Sequence, residues 1–144
     1  MRPATGRPHK DEAVARLEIY QAKLDNARTK KEYDQLFDHA PDDIGLHEID
    51  MDKKITRVNP SELKILGFRQ DQVLGKLASS FAVMQETSFR AAEKKLSGAG
   101  LKPFMRTFAC ADGSAVTLAL VERYLKDAKG HIIGIRTALM PIAT

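Results

Sequence analysis

Few residues of this chain have the types and spacing that covalent chemistry needs. Nucleophilic catalysis requires a Ser, Cys or Thr beside a base that an acid orients. His47 and Glu48 are neighbours, but successive residues of a strand point to opposite faces, which keeps them apart. Asp42-Asp43 reads as a loop feature, and Gly98 and Gly100 lack the Lys-Ser/Thr of a phosphate loop. No His, Cys, Asp or Glu set has metal-ligand spacing. The single cysteine, Cys110, excludes an intramolecular disulfide and a cysteine-built zinc site, and it suits a reducing compartment. It is expected to be a small packing residue near a strand end. The reading is a chain that is not itself an enzyme and carries no metal.

The 144 residues suffice for one domain, which at this size buries roughly 68–70% of its extended surface. A hydrophobic fraction of 43% beside 29% charged residues excludes a disordered chain. Lys+Arg is 23 against 19 acids, a net charge of +4, ordinary for solubility. Only residues 1–10 are biased, with Arg2, Arg7, His9 and Lys10 and no acid. With Pro3, Gly6 and Pro8 they read as a disordered basic tail rather than a phosphate-seeking arm, so direct nucleic-acid binding is not expected. No apolar run reaches the roughly 18 residues of a membrane span, and the start lacks a signal peptide's apolar stretch. The expected location is the cytoplasm.

The elements that must position any site follow from periodicity. Residues 11–32 hold an amphipathic helix in which Ala13, Leu17, Tyr20, Leu24 and Ala27 form one stripe. That stripe seeks a partner, either the rest of the domain or a second copy in a homodimer. Thr29 and Glu32 match a capping box, and Tyr33, Leu36, Phe37 and Ala40 a second short helix that Pro41 stops. From Ile44 the period becomes two: a strand, a polar turn at residues 50–54, and a second strand over 55–58. Asn59, Pro60 and Glu62 start a helix that Gly67 ends, and Gly75 ends another. Residues 86–97 form a longer helix. Three strands follow as a meander, over 103–111, 114–125 and 131–142, with Asp112-Gly113 as a turn signal. Val116, Leu118 and Leu120 face one way, and Ala115, Ala119, Val121 and Leu125 the other. A strand apolar on both faces needs both covered, and the N-terminal helix is the available cover for the outer one. The fold class is α+β with a five-stranded antiparallel sheet, short helices on one face and the amphipathic helix on or near the other.

In that order and spacing the chain resembles a PAS domain, the sensor module of many bacterial signalling proteins. The segments that carry the resemblance are Phe37-Asp38-His39-Ala40-Pro41-Asp42-Asp43-Ile44-Gly45, Ile55-Thr56-Arg57-Val58-Asn59-Pro60, Leu66-Gly67-Phe68, Val73-Leu74-Gly75-Lys76, Ala111-Asp112-Gly113-Ser114 and Gly130-His131-Ile132-Ile133-Gly134-Ile135. It covers about Tyr33 to Ile142, which makes 33–144 the PAS domain. Output-driving members often end in an Asp-Ile-Thr-like motif, where this chain has Met140-Pro141-Ile142. Any kinase or other output activity is therefore expected from a domain or partner outside these 144 residues.

The resemblance implies a sensor or relay module of a cytoplasmic signalling or transcription-regulating system, or else a ligand-free dimerisation module. It also implies a cavity between sheet and helices. Its candidate lining is Leu46, Val58, Leu63, Leu66, Phe81, Phe89, Phe104, Phe108, Leu118, Ile133 and Ile135, with Arg106, Thr137 and His47 as polar groups. Haem is not expected, because the long helix has no histidine. Cysteinyl-flavin photochemistry is not expected either, because Cys110 lies on a strand and not in a helix. A small ligand held without covalent bonds remains in keeping with such a cavity.

Overall fold

A computed structural model describes residues 6–143. Helix α1 (Lys10–Asp25) turns Ala13, Leu17, Tyr20 and Leu24 inward, and all four are buried. It ends at Asn26, so Ala27 lies past the helix and is only half-buried. Thr29 then caps α2 (Lys30–Asp38): its hydroxyl accepts from the Glu32 N–H at 3.0 Å. The Glu32 carboxylate accepts in return from the Arg28 N–H at 3.2 Å. The two helices are thus separate, because this cap satisfies donors that a continuous helix would have used internally.

The hairpin β1 (Gly45–Asp50) and β2 (Ile55–Val58) follows. Asn59 caps α3 (Pro60–Leu66), and Gly67, at φ 81°, closes it in the left-handed conformation that glycine adopts without strain. After α4 (Gln70–Val73) comes a 3₁₀ turn at Ala78–Phe81, which has no strong periodic signal. Helix α5 (Gln85–Leu96) leads into the meander β3 (Phe104–Ala109), β4 (Ala115–Lys126) and β5 (Ile132–Pro141).

The five strands pair antiparallel in the order β2-β1-β5-β4-β3. The last strand of the chain is therefore the central one, and it joins the early hairpin to the late meander. Where β5 crosses β1, Gly134 faces Asp50 so closely that a side chain there would run into the Ile49 carbonyl.

Both faces of the sheet carry a core, as the two-sided apolar pattern of β4 requires. On the outer face α1 and α2 cover Ile44, Leu46, Ala119, Val121, Ala138 and Met140. On the inner face the short helices and α5 cover Ile49, Val116, Leu118, Leu120, Ile135 and Leu139. Asn59 joins the layers. Its buried amide accepts from the Leu46 and Glu62 N–H groups at 2.9 Å, and donates to the Phe37 and Ile44 carbonyls at 3.2 Å.

The expectation of a disordered tail over residues 1–10 is corrected at residues 8–10. Pro8 is buried and its carbonyl accepts from the Ala143 N–H at 2.9 Å, and Lys10 already belongs to α1. Arg2 and Pro3 of that expectation lie outside the described residues.

Candidate functional site

Between the inner face of the sheet and α5 lies a cavity of about 40 Å³. A water molecule needs about 10–15 Å³ by this measure, so the space admits only a small group. Six of the anticipated residues meet there: His47, Phe104, Arg106, Phe108, Ile135 and Thr137. They do so because β1, β3 and β5 present alternate side chains to this face.

The other anticipated lining residues stand elsewhere. Leu46 is one residue from His47 and so points outward, into the core under α1. Val58, Leu66, Phe81 and Leu118 are packed into the inner core, with Leu63 against its edge. Phe81 meets Phe68 edge to face at 5.1 Å. Phe89 is half-buried, with the Lys53 ammonium 4.7 Å from its ring centroid. Ile133 is 49% exposed. The reason is a bulge: Leu125 pairs with Gly134 but Lys126 with Ile132, which leaves Ile133 as the extra residue and breaks the alternation.

The row Ala13, Leu17, Tyr20 and Leu24, read as a candidate dimer interface, is closed against the chain's own sheet. One helix stripe cannot serve both surfaces at once. This contact has polar keys. Arg123 and Arg136 lie directly opposite each other on β4 and β5, an arrangement that repels unless it is compensated. Helix α1 supplies the compensation. Glu18 bonds Arg123 at 3.0 Å, and Asp25 bonds Arg136. The buried Gln21 accepts from Arg136 Nε at 2.6 Å and donates to the Val121 carbonyl at 2.8 Å. Beside it Tyr33 hydrogen-bonds Glu48, and burial with this carboxylate pushes the phenol up to about 12.

The cavity surface is mainly apolar, but more polar side chains reach it than the anticipated lining held. Glu122 accepts from the Thr137 hydroxyl at 2.9 Å and from Lys95 Nζ at 2.7 Å. His47 Nδ1 lies 2.8 Å from both Glu62 oxygens. Burial opposes the imidazolium, but the Glu62 charge and hydrogen bond, together with the charges of Glu122 and Glu48, outweigh it and raise the His47 pKa above its ordinary value. Glu62 thus uses its backbone in the helix cap and its carboxylate in a buried pair. Arg106 Nη1 donates to Ser88 Oγ at 2.9 Å and its guanidinium has no acid partner among the described residues. Desolvation lowers its pKa from the usual arginine range, and the nearby Glu122 charge only partly offsets this.

Sequence reasoning passed over Glu122, Lys95, Lys53 and Ser88. Glu122 did leave a signal: it continues the inner-facing series Val116, Leu118, Leu120 on β4, where an acid is costly without partners. Among the described residues no three His, Cys, Asp or Glu side chains converge as metal ligands, and no helix is long and apolar enough to cross a membrane.

No protein-family model matches the sequence, and no curated protein matches it in a sequence comparison. Solved structures do match the fold. The PAS domain of an HTR-like protein from Haloarcula marismortui aligns with TM-score 0.63 at 20% identity, over 92% of this chain and 99% of that one. A PAS domain from Colwellia psychrerythraea aligns with TM-score 0.68 at 14% identity, over 78% and 95%. A domain of a sensory box sensor histidine kinase/response regulator from Geobacter sulfurreducens gives 0.63 at 22%, over 76% and 91%. The chain therefore has the PAS fold, with the α+β, five-stranded antiparallel architecture expected of it. The neighbours named here are PAS or sensory-box domains; at these identities the likeness is one of fold.

Proposed function

We propose that this chain is the input or relay module of a signal-transduction protein and that it works by binding and transmission, not by catalysis. One observation carries the reading. The cross-strand pair Glu122 and Thr137 lines the inner cavity, and the next pair along the same two strands, Arg123 and Arg136, holds α1 on the outer face. A change in what Glu122 and Thr137 bond to has one peptide unit to travel before it reaches the α1 contacts. A ligand or partner acts through such a path only by differing in affinity for the two arrangements.

The test needs no ligand. Thr137→Val removes the hydrogen bond of the cavity pair, Glu122→Gln also weakens the Lys95 ion pair, and both leave the α1 contacts of Arg123 and Arg136 in place. Hydrogen exchange of the α1 amides near Gln21 should then quicken relative to the parent chain, with α2 unchanged. Unaltered exchange in α1 would sink the relay reading.

A ligand-free dimerisation module is the second reading, and the small cavity favours it. Such a module would show a concentration-dependent mass in light scattering. Because the α1 row lies within its own chain, it would need another surface.

A further inference from the structure

Beside the cavity, and sharing Lys95, Phe104 and Arg106 with it, runs an open groove of about 580 Å³. Its wall is apolar, formed by Ala91, Leu101, Pro103 and Met105. Its charged residues are Lys94, Lys95, Lys102 and Arg106, and no acid lines it. Phe104 stands where the two spaces meet, its ring centroid 3.8 Å from Lys95 Nζ and 4.8 Å from the Arg106 guanidinium.

The cations are not equivalent. Lys95 is matched by Glu122. Arg106 is half-buried, donates to the neutral Ser88 hydroxyl, and has its remaining N–H donors open to water or to a ligand. Arg106 feels the charge of Glu122 but forms no ion pair with it, because Lys95 and Thr137 engage that carboxylate, so this partly desolvated guanidinium can still take an anion. Its planar fork fits a carboxylate through two parallel hydrogen bonds. The Glu122 carboxylate also lines the cavity and disfavours a dianion such as a phosphate monoester more than a monoanion. The cavity has room for a head group only, which leaves the rest of the ligand to lie along the apolar wall of the groove.

We propose that Arg106 anchors the head of a small apolar monocarboxylate, whose body occupies the groove between α5 and β3 and whose binding turns Phe104 aside. The assignment rests on the input-module reading and names the ligand class for that same site.

The probes are hexanoate, hexanamide and hexyl phosphate, titrated calorimetrically into the full chain. Hexanoate should bind saturably and more tightly than hexyl phosphate, and hexanamide should not bind. Arg106→Ala should weaken hexanoate by about ten- to hundredfold, the range of a lost charge-assisted hydrogen bond. Lys64→Ala, in a separate groove, should change nothing. If Arg106→Ala does not fold, Leu101→Glu puts an acid at the groove wall and should weaken hexanoate instead. Equal binding of hexanamide, tighter binding of hexyl phosphate, indifference to both substitutions, or no saturable hexanoate binding would each overturn the assignment. The relay reading has its own ligand-free readout in α1, so the two stand or fall separately.

Discussion

The two faces of one sheet are covered in different ways. The outer face is closed largely by α1, whose 16 residues deliver Ala13, Leu17, Tyr20 and Leu24 as one continuous row. The inner face is closed by α3, α4, a 3₁₀ turn and α5, none longer than 12 residues. A single helix laid along a sheet can pack without a gap, and it needs polar keys only to fix its register. Several short helices meet at joints, where backbone ends and polar side chains collect. The cavity with Glu122, Lys95, Arg106 and His47 is what the second arrangement leaves. The difference teaches that one long helix fills the face it covers, whereas several short ones leave a cavity and buried charges at their joints.

Substitutions can break or sharpen that contrast. The largest effect belongs to the filled face. Leu17→Ala should lower the unfolding free energy by about 2–5 kcal/mol, since Leu17 is wholly buried and the flat helix-on-sheet contact cannot close over the hole. Denaturant titration measures it, and a loss under about 1 kcal/mol would mean the α1 face is loosely packed.

Next comes the key between α1 and the sheet. Arg136→Met removes the donors to Gln21 and Asp25 and should cost about 1–3 kcal/mol. The same variant should speed exchange of α1 amides more than those of α5. Equal protection of both helices would show that apolar packing alone sets the α1 register.

The buried pair of His47 and Glu62 should make stability depend on pH. The folded His47 pKa is raised, so its contribution is fully present below the ordinary histidine value near 6.5 and is lost as pH rises through the folded value. Thermal unfolding from pH 6 upward should show this decline in the parent chain, and His47→Gln should flatten it. A decline that persists in the variant would assign the effect to another group.

The smallest effect is expected at the cavity mouth. Phe104→Leu should cost only about 1 kcal/mol, because the ring is half-buried beside space that already exists. A cost matching Leu17→Ala would erase the contrast between the faces.

Much of the fold was legible in the sequence because the signals are local. The caps at Thr29 and Asn59, the left-handed Gly67 and the period of two in β1 and β4 report backbone geometry that neighbouring residues decide. The site was less legible. Alternation does separate Leu46 from His47, yet periodicity alone does not say which layer each parity meets. Ile133 shows a sharper failure, since one bulge reverses its side with no mark in composition.

By itself the sequence determined the element order, the two-sided apolar character of β4 and the need for a cover over its outer face. Each follows from side-chain spacing along a strand or helix. Only the tertiary structure decided that β5 sits at the centre of the sheet, that α1 is that cover, and that Arg123 and Arg136 face each other across β4 and β5. It alone brought Lys95 to Glu122 and Glu62 to His47. Such charges are buried only because partners distant in sequence offset their loss of water, and that match exists only once the strands have found their register.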